Sequence, residues 1–233
     1  EAVEMVGKLP EGVEPLAAQT VEQLCHVMAA YLPVEVELSQ YPQLLPVFAR
    51  ALRTIARQSA ANAAIIGTQE MGQVVLSWLK HEITNDEVAK PLFELLSVLC
   101  AMSTLPILDL FLTESDGVNV CLRSLKPGRR VDCMTAALSL ILVMATSKLD
   151  GGDDEETLEE LVVEMILETD NGVELILAAT NAVSDERFHA AACRVFTLLA
   201  TEAGGEQGET PARRTFAADH SAAVVNVVLK QIL

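Results

Sequence analysis

One stretch, Val131–Ser147 (VDCMTAALSLILVMATS), constrains the chain more than any other. Val131, Met134, Leu138, Ile141 and Ala145 recur at intervals of 3, 4, 3 and 4 residues, and Cys133, Ala137, Leu140 and Met144 form a second stripe of the same period. Recurrence at that interval is the signature of an α-helix, here with two adjoining apolar faces. A helix so apolar must be covered on several sides, so it cannot be a surface element. Similar helices recur along the chain, and the sequence reads as a stack of like units.

Aromatic residues make up only 4% of a chain that is 51% hydrophobic, so Leu, Ala and Val carry the packing. That choice suits helix against helix better than strands, which draw on aromatic and β-branched residues. The formal net charge of −17 excludes the basic footprint that nucleic acid requires and disfavours an anionic membrane surface. Mean hydropathy is positive at +0.33. Yet Cys133–Ser147 and Leu95–Leu108, the longest uncharged runs, are shorter than the roughly 18–20 residues of a spanning helix. No membrane span is expected. The cysteines (Cys25, Cys100, Cys121, Cys133 and Cys193) are odd in number, scattered and without a CxxC pair. They read as small buried hydrophobes in a reducing, cytoplasmic setting.

In chain order, Ala2–Leu9 reads as a short amphipathic piece, and Thr20-Val-Glu-Gln23 as a capping box that opens a helix. Thr84–Glu87 is a second capping signal, and Pro91 falls where a first helical turn would place it. The Ala61–Leu79 region is expected to break at Gly67 and Gly72. Lys126-Pro-Gly128 and Asp170-Asn-Gly172 mark turns. Asp150–Glu174 carries eleven acids, and Gly151–Glu156 is expected as an exposed insertion. Gly204–Gly208 opens a Gly-rich loop.

The segments beginning at Met71, Gly117 and Gly172 superimpose: Leu76, Leu122 and Leu177 lie five residues on. Long helices follow, ending at Ala101, Ala145 and Ala200, with Ala56 closing an earlier one; the intervals between these alanines are 45, 44 and 55 residues. The longest interval contains the acidic insertion. Without about ten residues there, all fall within the 40–47-residue period of helical repeats. Each unit reads as a short helix, a Gly turn, a medium helix, a polar turn and a long apolar helix. This order resembles the armadillo/HEAT repeat. The resemblance implies an all-α, armadillo-like right-handed α-solenoid of about five three-helix repeats spanning 1–233. It would carry an acidic insertion near 148–157 and a Gly-rich loop near 203–211. The final helix, Ala222–Leu233, looks like a second helix without its third, so the chain is expected to be part of a longer array.

By the same resemblance, the third helices Leu44–Arg57, Val88–Met102, Val131–Ser147 and Phe188–Ala200 would line a groove for partner segments. Adaptors of the importin-α type carry Trp and Asn on these helices; none of the four here does, and Trp78, on a second helix, reads as packing. The candidate partner-binding residues are Arg50, Arg53 and Arg57, which share one helical stripe, with Arg194 at the matching offset in a later unit. Val47, Ala51 and Ile55 are expected to form the opposing core stripe.

Neither a GxSxG, Walker, GxGxxG nor HExxH pattern occurs. His189 and Cys193 lack a second ligand pair for a metal, and the adjacent Cys25 and His26 should point to different faces. The expectation is a non-catalytic scaffold or adaptor for other proteins, needing no cofactor and no metal. The alternative is a structural subunit built into a large cytoskeletal or organellar assembly.

Overall fold

The computed structural model describes residues 16–31, 44–102, 105–113, 117–147, 158–202, 220 and 222–226. The N-terminal amphipathic piece, the acidic insertion, the Gly-rich loop and the end of the final helix lie outside these residues. Every regular element among the described residues is an α-helix, and none is long and apolar enough to cross a membrane. The chain divides into two compact units, Glu1–Glu114 and Ser115–Leu233.

The first unit holds α1 (Ala18–Tyr31), α2 (Leu44–Ala56), α3 (Ala60–Ile66), α4 (Gln69–Glu82), α5 (Asp86–Ala101) and α6 (Leu105–Thr113). The long helices α2 and α5 pack side by side, α3 lies against α1 and α2, and α6 lies against α4 and α5. Leu45, Ala49, Leu52 and Ala56 on α2 and Leu92, Phe93, Leu95, Leu96 and Leu99 on α5 are fully withdrawn from solvent. Trp78 on α4 is fully buried too, in keeping with a packing role.

Local signals in this unit depart from expectation in three places. Helix α1 starts before Thr20, because the amides of Thr20 and Val21 both donate to the Ala17 carbonyl, at 2.9 and 3.2 Å. Thr20 is thus inside the helix and does not cap it. Pro91 lies inside α5 rather than in its first turn, and Asn85 stands at the N-cap without a side-chain cap bond. Acids Asp86 and Glu87 in the first turn complement the helix dipole instead. Gly67 ends α3, but Gly72 breaks nothing: it sits within α4, where an added Cβ would lie 3.0 Å from Leu110 and 3.2 Å from Ile107 of α6. Its missing side chain serves close packing of α4 on α6, not a turn.

The second unit holds α7 (Gly117–Arg123), α8 (Val131–Thr146), α9 (Leu158–Glu168), α10 (Gly172–Ala182) and α11 (Glu186–Glu202). Helix α8 packs against α7, α9 and α11, and both of its expected stripes are buried apart from Val131 at its start. Its hydroxyls are satisfied within the helix itself: Thr135, Ser139 and Thr146 each donate to the carbonyl four residues back, at 2.8, 2.8 and 2.9 Å. Arg130 braces the entry with a two-pronged bond to Asp132, at 3.1 and 2.9 Å. Asp185 accepts from the amides of Arg187 and Phe188, at 2.9 and 3.0 Å, and so caps α11. The turn before α10 places Asn171 at φ 59°, and Gly172 follows as the first helical residue. A Cβ on Gly172 would collide with the Ile166 backbone carbonyl and meet Leu122 of α7 at 3.2 Å.

The two units repeat one pairing scheme. Helix α2 packs on α5 as α8 packs on α11, α1 packs on α4 as α7 packs on α10, and the next helix in each set lies on both of its predecessors (α3 on α1 and α2; α9 on α7 and α8).

Candidate docking surface

Helix α2 and the turn after it hold the three arginines that the sequence singles out. With 100° per residue, Arg53 lies toward α5, Arg50 and Arg57 lie farther round, and Thr54, Val47, Ala51 and Leu44 follow in order across the solvent side. Burial agrees with that order: Arg53 is half-buried, and Arg50 and Arg57 are exposed. The expected core stripe is corrected here. Ile55 is buried, but Ala51 is exposed and Val47 is 53% exposed. The true core stripe is Leu45, Ala49, Leu52 and Ala56, because α3 and α5 cover that side.

The arginines are not equivalent. Arg53 donates through Nη1 to Glu94 Oε2 on α5, and Lys90 Nζ lies 3.9 Å from the other oxygen of the same carboxylate. Burial pushes Arg53 below the ordinary arginine value, and the charges of Arg57 and then Arg50 push the same way. Arg53 is thus an internal tie between two long helices. Arg50 donates through Nε to the Pro46 carbonyl at 3.0 Å, which lays its stem along α2 and leaves part of the guanidinium outward. Arg57 follows the last turn of α2, where the helix dipole favours a cation. Arg194 is exposed on α11, in the second unit. On its own helix it shares an exposed stripe with Arg187, Ala190 and Thr197.

Two features escaped the sequence reading. Arg187 stands seven residues before Arg194, two helical turns, which the spacing alone could have revealed. Leu38–Gln69 contains three arginines and no acid within a chain of charge −17, so the ridge is locally basic well beyond the helix itself.

Cys25 is buried and His26 exposed, yet both border one hollow of about 290 Å³ with Glu22, Thr68, Glu70 and Met71. Burial pushes the Cys25 thiol up to about 11, which keeps it protonated at neutral pH and unsuited to nucleophilic attack. His189 donates from Nε2 to the Thr180 carbonyl at 3.1 Å, and burial raises the Cys193 thiol. Among the described residues no group of three or more His, Cys, Asp or Glu side chains could hold a metal ion. All the cysteines are free thiols. The chain matches no protein-family model, no curated protein sequence and no solved structure.

Proposed function

We propose that this chain is an armadillo-like right-handed α-solenoid of about five three-helix repeats, and that it works as a non-catalytic scaffold or adaptor docking segments of other proteins. The observation that carries this reading is the pairing scheme shared by the two units: α2 on α5 and α8 on α11, α1 on α4 and α7 on α10, with the next helix lying across its two predecessors. Repeats stacked in that way bury their apolar faces against neighbours and leave an extended surface for partners. Arg50 on α2 and Arg57 just past its end, both exposed in an acid-free segment, are the cations such a surface would offer to a carboxylate-rich partner. Arg194 would offer a separate contact on the second unit.

The test is crosslinking mass spectrometry in cells, with the parent chain compared with an Arg50→Glu, Arg57→Glu variant of unchanged melting temperature. Arg53 is left intact because its role is internal. Crosslinks from α2 to acidic partner segments that vanish in the variant support the scaffold reading. A chain crosslinked invariably to the same fixed set of subunits, with no effect of the variant, supports the alternative of a permanent structural subunit. The exposed Leu16, Val27 and Leu161 are the observation in favour of that alternative, since a built-in subunit would cover them.

A further inference from the structure

We infer that the α2 surface takes an amphipathic partner helix: one whose apolar stripe is edged by carboxylates. The inference rests on the scaffold reading above and adds what kind of segment is docked. Leu44 and Val47 are 42% and 53% exposed, and Ala51 is exposed beside them. At intervals of 3 and 4 residues they make one continuous apolar strip along α2. Arg50 and Arg57 run along one border of that strip, with Thr54 between. An apolar strip bordered on one side by like charges selects a partner of matching layout: aliphatic side chains spaced 3 and 4 apart to cover the strip, and acids along the edge that meets the arginines. Charge complementarity decides the occupant. A lysine-edged helix would bring cations against the exposed Arg50 and Arg57, a like-charge meeting that disfavours it. An extended acidic peptide would meet the arginines but leave Leu44 and Val47 uncovered.

The experiment uses the full chain and three labelled, end-capped synthetic helices of about 18 residues, long enough to hold helix when bound. One has a Leu stripe edged by Glu, one has the same stripe edged by Lys, and one is edged by Glu with Ser in place of Leu. Fluorescence anisotropy should show the Glu-edged Leu helix binding at least about tenfold tighter than either control. Val47→Asn and, separately, Leu44→Gln should each weaken that binding about fivefold without moving the melting temperature. Arg50→Glu, Arg57→Glu should weaken it and improve binding of the Lys-edged helix. Equal binding of the Ser and Leu helices would overturn the inference while leaving the scaffold reading intact, since charge alone would then act. Failure of all three helices to bind the parent chain would overturn it as well, and crosslinking would still judge the scaffold reading separately. A drop of more than about 3 °C in melting for both Val47→Asn and Leu44→Gln would show that the chain covers this strip itself. Concentration-dependent dimers that Val47→Asn abolishes would assign the strip to a second copy. Either result rejects the proposal.

Discussion

Arg53 and Glu94 lie 41 residues apart in sequence and form an ion pair that ties α2 to α5. Their side chains are 24% and 31% exposed, so the pair is neither deeply buried nor freely solvated. Pairs in that setting contribute on the order of 1 kcal/mol. Arg53→Glu and Glu94→Arg should each lower stability, and the double swap should recover part of the loss. A double-mutant cycle in urea checks this, with a coupling of about 0.5–1 kcal/mol expected and smaller values at high salt. Additive losses would reduce the pair to a surface coincidence.

Two glycines inside helices should answer differently to the same substitution. Gly172→Ala drives a Cβ into the backbone carbonyl of Ile166, which cannot swing aside, so a loss of about 2–3 kcal/mol is expected. Gly72→Ala presses on the ends of Leu110 and Ile107, which can yield by a few tenths of an ångström. Alanine also gains up to about 1 kcal/mol of helix propensity there. Chemical denaturation of both variants should find Gly172→Ala much the more damaging.

The thiols give a pH prediction whose sign follows from burial. Burial pushes Cys100 from 9.0 up to about 12. The folded state holds the neutral thiol, whereas the unfolded chain ionises it from about 9 upward. This contribution leaves stability unchanged below pH 9.0 and lowers it from there toward about 12. Mass-spectrometric counting of alkylated thiols at pH 8 should find Cys193 labelled first, since it alone is half-buried. Cys100, Cys121 and Cys133 should react only after unfolding. Early labelling of Cys100 would contradict the packing of α5.

Asn62 carries an unmet cost. Its side chain is buried on α3, and Nδ2 has no hydrogen-bond partner among the described residues. Its own backbone amide is capped by Ser59 Oγ at 3.1 Å, an interaction that survives a change of side chain. Asn62→Ala should therefore stabilise the chain by about 1 kcal/mol, through release of the orphaned amide and better helix propensity. A scanning calorimeter would show a raised melting temperature; a lowered one would mean that the amide contributes contacts worth more than its desolvation.

Helix α8 was legible because both of its apolar stripes are covered: whichever face one counts from, the period is 3.6 and the outcome is burial. Helix α2 was not, for the opposite reason. LLPVFARALRTIA is apolar nearly all round apart from its arginines, and at helical spacing the stripe Ile55, Ala51, Val47 drifts toward the arginine side while Leu45 stays away from it. Neighbours α3 and α5 cover the Leu45 side; α3 follows directly in sequence, and only α5 is distant. The same blindness hid Glu94, whose link to Arg53 leaves no local trace. Gly72 misled because a glycine reads alike whether it permits a turn or a close approach. The turn at Asn171, by contrast, was readable: Asn-Gly favours just the left-handed backbone seen there. The arginine stripe was correct as spacing, but only contact geometry separates Arg53 from Arg50 and Arg57.

Because Thr135, Ser139 and Thr146 bond back to their own helix, these three hydroxyls make no directional polar demand on α7, α9 or α11. At those positions the neighbours need only match size and shape. Replacing any one of these hydroxyls by a methyl group orphans nothing across the interface, so the change is tolerated without a compensating mutation elsewhere. Over many generations a helix of this kind can exchange much of its lettering while its neighbours stay where they are, and the architecture outlasts the words that first spelled it.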